Sequence, residues 1–290
     1  MMSGSSSERA RAIYLRACEM ELCAFKPGNV SVHSESHDMT VNDFRVSAAV
    51  SASPLCDGTL SLGERIYQAV EATHHAVGCN TNLGIVLLAA PLILAFESRQ
   101  PGECLPDAVT RVLENTTVSD ADWVCRAILL ARPGGLGSAP EQDVSVSPTV
   151  NLHAIMGLAK DRDSIARQYV TSFEDIFHFA IPRYHLQRSL WDNEEWAVLA
   201  VFAGLLVEFP DSHVERKFGS LFNGWIAGRM RQVGGMLSRP EKAHEVMSLL
   251  REIDRDFKFR GINPGTTADL VVACLMTMGL SDAWDGARLS

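Results

Sequence analysis

The segment Leu83 to Glu97, LGIVLLAAPLILAFE, is apolar around almost its whole circumference. A helix of that kind cannot rest on a surface; it needs other helices on every side. It is shorter than the ~20 residues that span a bilayer, so it reads as a buried core helix and not as a membrane span. Pro91 interrupts it.

The partners for such a helix are present. Leu62, Ile66, Ala69, Val70, Thr73 and Val77 form one face at helical spacing. Arg9 to Ala24 has the same period and ends at Pro27-Gly28. Asn42 or Asp43 caps a second helix through Ala52. Further helices are expected over Leu105 to Glu114, Asp120 to Ala131, Val150 to Lys160 and Ser164 to Ala180. Glu194 to Phe209, Val214 to Met230, Lys242 to Phe257 and Thr266 to Met278 complete the set. Runs of β-branched residues at period two are scarce. The expectation is an all-α fold, a single bundle-like globule of about a dozen helices.

With 290 residues, 47% of them hydrophobic, the chain can bury one large core, and no polar linker divides its middle. Residues 1–8 read as a disordered tail and 9–280 as one domain. The net charge is −9 and no basic stripe occurs, which argues against nucleic acid as a partner. Scattered basic residues still suit a small anionic ligand. Seven cysteines without a Cys-x-x-Cys pair, and an N-terminus without a signal-like apolar stretch, predict reduced thiols in a cytoplasmic protein.

Six polar features stand out. GCNTNLG, Gly78 to Gly84, joins two helices; free amides at a helix N-terminus attract anions. Thr81 adds a hydroxyl, and Asn80 and Asn82 add amide donors. The plainer reading is an interhelical turn capped by Thr81 or Asn82. KPGNV, Lys26 to Val30, offers a lysine that can reach phosphate, or else an ordinary helix stop. SHDM carries His37 and Asp38. Glu71 lies four residues before His75 on a helix face, where it suits magnesium or proton transfer, or simply solvent. PDSHVERKFG, from Pro210, brings Asp211, His213 and Lys217, with Asp211 or Ser212 as a cap. NPGTTADL, from Asn263, is a turn in which Thr266 and Asp269 have capping-box spacing, unless Asp269 is a metal ligand or base. The loop ARPGGLGSAPEQDVSVSPT is long enough to suggest a functional role.

The order and spacing of these motifs resemble the ATP:dephospho-CoA triphosphoribosyltransferase family over about Glu21 to Gly279. Lys26-Pro27-Gly28, His37-Asp38-Met39, Asn80-Thr81 with Gly84, Asn263-Pro264-Gly265 and Ala268-Asp269-Leu270 match the family pattern. Glu71 keeps its place nine residues before Asn80. Asp211 matches the Asp of an Asp-Thr-Asn segment, and Lys217 stands at an arginine position. The departure lies in the central motif, where Asn82-Leu83 replaces His-Lys. The chain is similar to a divergent branch found in methanogens and methylotrophs.

The resemblance implies an all-α fold and a transferase. ATP would give its triphosphoribosyl group to the 2′-hydroxyl of 3′-dephospho-CoA, and adenine would leave. It assigns Asp38, Glu71 and Asp269 to proton transfer, with Glu71 and Asp269 also as magnesium ligands. Phosphate and nucleotide binding would fall to Lys26, Gly28, Asn80, Thr81, Asn82, Gly84, Asp211, Lys217, Asn263 and Gly265. The alternatives are a related transferase with another acceptor, of the methanopterin or methanofuran type, and a non-catalytic nucleotide-binding protein.

Overall fold

The first helix begins earlier than its apolar period suggests. In this computed structural model, which describes residues 5–34, 39–132, 146–239 and 243–286, Ser5 and Glu8 close a capping box. Helix α1 therefore runs Ser6–Cys23, and residues 6–8, expected within the tail, are helical. The chain continues through α2 (Val41–Leu55), α3 (Leu62–Val77), α4 (Leu83–Glu97), α5 (Leu105–Glu114) and α6 (Val118–Ala131). Next come α7 (Leu152–Ala159), α8 (Ser164–Thr171), α9 (Ile181–Trp191) and α10 (Glu194–Glu208). The last four are α11 (Ser212–Phe218), α12 (Asn223–Leu237), α13 (Ala243–Arg260) and α14 (Gly265–Gly286). Among the described residues there is no strand, so the fold is all-α. No single helix among them is long and apolar enough to cross a membrane.

Caps explain most of the helix starts. Thr40 with Asp43, Ser61 with Glu64, and Thr117 with Asp120 each form a reciprocal box. The α2 cap is thus Thr40, and Asp43 is its reciprocal partner rather than the cap itself.

Helix α4 is the axis. Thirteen of its residues are buried, and α14, α5, α3 and α1 surround it. Pro91 has no N–H, which would orphan the Leu87 carbonyl one turn earlier. The Tyr169 hydroxyl donates to that carbonyl at 2.6 Å, so the proline sits deep in the core without an unpaired acceptor. Helix α10 is a second buried rod, with Ala197 through Leu206 all enclosed.

Two expected helices are broken. Ser172 and Phe173 adopt positive φ (53° and 64°), which ends α8. A π-helical turn over Asp175–Ala180 then leads into α9. Phe173 is wholly buried, and the Asp175 carboxylate accepts from Arg167 and Gln168. Core packing and this polar clamp outweigh helix continuity. Similarly, Gly219 at φ 59° splits α11 from α12 through a short 3₁₀ turn. All seven cysteines are free thiols.

Candidate active site

A cavity of about 910 Å³ opens where α4, α6, α7, α8, α11 and α14 approach one another. The first turns of α4, α8 and α14 all border it, through Gly84, Ile165 and Gly265 among others. Each helix start carries a partial positive charge from its unpaired amides. At α8 and α14 some amides are already taken: Asp163 Oδ1 accepts from Ile165 and Ala166, and Asp211 Oδ2 accepts from Thr267. At α4 the Leu83 amide goes to Asn80 Oδ1 at 3.1 Å. The Gly84 and Ile85 amides have no acceptor among the described residues. Arg162 and Arg216 border the same space. Arg216 donates through Nη1 to Asp163 at 2.8 Å, and its buried Nε has no partner. This side of the cavity is built of donors.

The acceptor side centres on Asp269, in the second turn of α14. Its carboxylate makes no hydrogen bond or ion pair among the described residues, and it faces the cavity. Burial, with the nearby charges of Glu21 and then Asp211, pushes its pKa well above the usual carboxylate range. It is not a helix cap, which overturns the capping-box reading of NPGTTADL. The clamp on the start of α14 comes from Asp211 instead. That carboxylate caps α11 through Val214 N (3.0 Å) and accepts from Thr267 N and Oγ1 (both 2.7 Å). It does not line the cavity.

Seven of the expected site residues do border the cavity: Asn80, Thr81, Asn82, Gly84, Asn263, Gly265 and Asp269. The asparagines and the threonine largely hold the loop in shape. Thr81 Oγ1 meets Ser47 Oγ at 2.5 Å, and Asn82 Nδ2 donates to Ser51 Oγ at 3.3 Å. Ser51 in turn meets the Tyr14 hydroxyl at 2.8 Å. Asn263 Oδ1 accepts from Asn29 at 2.9 Å, which clasps KPGNV to NPGTTADL.

The other assignments need correction. Lys26 is fully buried, and its Nζ donates to the carbonyls of Glu21, Ala24 and Val30 at 2.5, 3.1 and 3.4 Å. It also pairs with Glu21 Oε1 at 3.0 Å, so no donor is left for a phosphate. Gly28 has φ 79°, and its amide donates to Asp254. A Cβ there would fall 2.7 Å from the Ile262 carbonyl, so this glycine serves the turn. Glu71 accepts from Tyr67 at 3.0 Å, outside the cavity lining. Lys217 Nζ donates to the Gly261 carbonyl at 3.1 Å from an exposed position. One residue earlier, and about 100° around the helix, Arg216 takes the place expected for it. His37, Asp38 and most of the loop that begins at Ala131 lie outside the described residues.

Five contributors were missed: Glu21, Asn29, Arg162, Asp163 and Arg216. Asn29 sits in KPGNV, where the lysine drew the attention. Asp163 carries the ordinary signal of a helix cap, and that signal also marks Arg162 as lying at a helix mouth. Glu21 gave no signal beyond being an acid inside an apolar stretch.

Among the described residues no resident magnesium cage is assembled. Glu71 is elsewhere, and no group of three or more His, Cys, Asp or Glu side chains suited to a metal occurs among the described residues. An ion carried on a triphosphate needs only one or two carboxylates beside phosphate oxygens and water.

Comparison with known proteins fits this architecture. A solved structure from Archaeoglobus fulgidus, described provisionally as a triphosphoribosyl-dephospho-CoA synthase, superposes with a TM-score of 0.64. The two chains are 23% identical over 83% of this one and 98% of the other, a likeness in fold. No curated protein sequence matches significantly. The family's sequence model, however, matches residues 7–288. The chain belongs to the ATP:dephospho-CoA triphosphoribosyl transferase family and is a transferase of that kind.

Proposed function

We propose that the cavity binds ATP as its magnesium complex and transfers the triphosphoribosyl group to the 2′-hydroxyl of 3′-dephospho-CoA. The hydroxyl oxygen bonds to the anomeric carbon of the ATP ribose. The bond from that carbon to the adenine nitrogen breaks, and its electron pair and one proton leave with adenine. The hydroxyl proton passes to a base.

One observation carries the reading: an unpartnered carboxylate, Asp269, faces a donor-rich helix mouth across a single cavity. The free Gly84 and Ile85 amides, Arg162 and Arg216 supply the donors that a triphosphate needs. Asp269 faces the cavity without a partner, and its raised pKa makes it a stronger base than an ordinary carboxylate. Its negative form also favours the positive charge that develops on the ribose carbon, as in glycoside hydrolysis.

A transferase with a different acceptor, of the one-carbon cofactor type, is the second reading. It is favoured by Leu83, a buried apolar residue where the family motif carries a basic one. Incubation with magnesium ATP and single acceptors, followed by chromatography of adenine, separates the two. The first reading requires adenine with dephospho-CoA; adenine only with another acceptor would support the second.

A further inference from the structure

Glu21 is a carboxylate that the proposed chemistry has not used. It lies on α1, is 4% exposed, and borders the cavity. Its Oε1 is sealed from solvent beside Lys26 Nζ, at 3.0 Å but without hydrogen-bond alignment. Its Oε2 makes no hydrogen bond among the described residues, and the residue itself borders the cavity.

Burying two charges together is costly unless the geometry returns the loss. Lys26 spends its three donors on carbonyls and meets the Glu21 carboxylate as an ion pair, so it acts on the site only by holding this carboxylate. That also decides what Glu21 can receive. A carboxylate only accepts hydrogen bonds. Its charge is already balanced by the buried ammonium of Lys26. A neutral donor, not another cation, completes such a group. In a cavity that holds nucleotides, the neutral donors on the sugar are ribose hydroxyls.

We infer that Glu21, held by the positioning residue Lys26, binds a ribose hydroxyl of the bound nucleotide. This rests on the reading of the cavity as a nucleotide site. The hydroxyl belongs either to ATP or to the acceptor, and analogues tell them apart.

The test is titration calorimetry on the full chain with ATP, 2′-deoxyATP, 3′-deoxyATP, dephospho-CoA and its 2′-deoxy form, for wild type, Glu21→Gln and Glu21→Asp. Wild type should prefer one parent nucleotide over a deoxy form by about tenfold or more, the range for a hydrogen bond to a charged group. That preference should shrink in Glu21→Gln, whose amide oxygen is only a neutral acceptor, and in Glu21→Asp, while circular dichroism stays helical. A smaller preference among the ATP analogues puts the hydroxyl on the donor; a smaller one between the dephospho-CoA forms puts it on the acceptor. Unchanged preferences in folded variants overturn the inference. So does equal wild-type affinity for each parent and its deoxy forms, which decides the matter even if both variants fail to fold. These are affinities, so a failure to release adenine would count against the transfer reading and leave the Glu21 result standing.

Discussion

The Asp269 carboxylate lies directly over Gly84: a Cβ at residue 84 would fall 2.0 Å from Asp269 Oδ2. The glycine that ends GCNTNLG and the acid of NPGTTADL are thus two halves of one contact, from the starts of α4 and α14. Ile165 closes in from a third side, 2.8 Å from the same point. Gly84→Ala should therefore move the carboxylate or the helix mouth. We expect a loss of about 1–3 kcal/mol in stability, the usual cost of overpacking, and a larger loss of turnover. Chemical denaturation and adenine release measure the two separately.

Asp269→Asn should lower turnover by about 10²- to 10⁴-fold, the range for a proton-transfer group. Its effect on stability should be opposite. Burial and the charges of Glu21 and Asp211 raise the Asp269 pKa in the folded state, so the folded chain holds that proton more tightly than the unfolded chain. The stabilisation is complete below the ordinary carboxylate pKa and is lost as pH rises through the raised one. The neutral asparagine avoids that loss. Urea midpoints of variant and wild type should coincide at low pH, and the variant should be the more stable at neutral pH.

Lys26→Met should destabilise the protein by about 3–5 kcal/mol, because it leaves the buried Glu21 charge without its partner. A lysine that bound phosphate from the surface would behave differently, with an unchanged melting temperature and a raised KM for ATP. A thermal melt beside a KM measurement distinguishes the two roles.

Arg216 and Lys217 are neighbours with opposite expectations. Arg216→Ala should weaken ATP binding roughly tenfold to hundredfold, since a hydrogen bond to a charged group is worth about 1.5–3 kcal/mol. Lys217→Ala should leave binding within about twofold, because an exposed contact of this kind contributes little. Calorimetry with ATP reads both.

The fold was legible because its helices announce themselves locally. Ser61 with Glu64 and Thr117 with Asp120 are visible as caps, and the run after Asn82 has no plausible place but the core. Helix α9 was not legible. IPRYHLQRSLW has a weak apolar face, and the break before it depends on Phe173 entering the core, a tertiary event. The site was legible in part for the same reason. Asn80 and Asn263 sit at turns whose composition marks them, and Gly84 and Asp269 lie in the helices those turns begin. Lys26 misleads because its side chain can turn inward or outward, and only the packing of the turn before Val30 decides. Lys217 misleads because a single step along a helix exchanges cavity for solvent. Asp211 has the features of a ligand-binding acid in sequence and proves to be a clamp across two helix starts.

The central claim is that triphosphoribosyl transfer takes place in the cavity beneath Asp269. Mass spectrometry of dephospho-CoA after incubation with magnesium ATP tests it most directly. Dephospho-CoA should gain one triphosphoribosyl unit with an equal amount of adenine, at an initial rate lowered about 10²- to 10⁴-fold in Asp269→Asn. Dephospho-CoA recovered unchanged from a folded, ATP-binding wild-type protein would contradict it, as would a wild-type rate of product formation by Asp269→Asn.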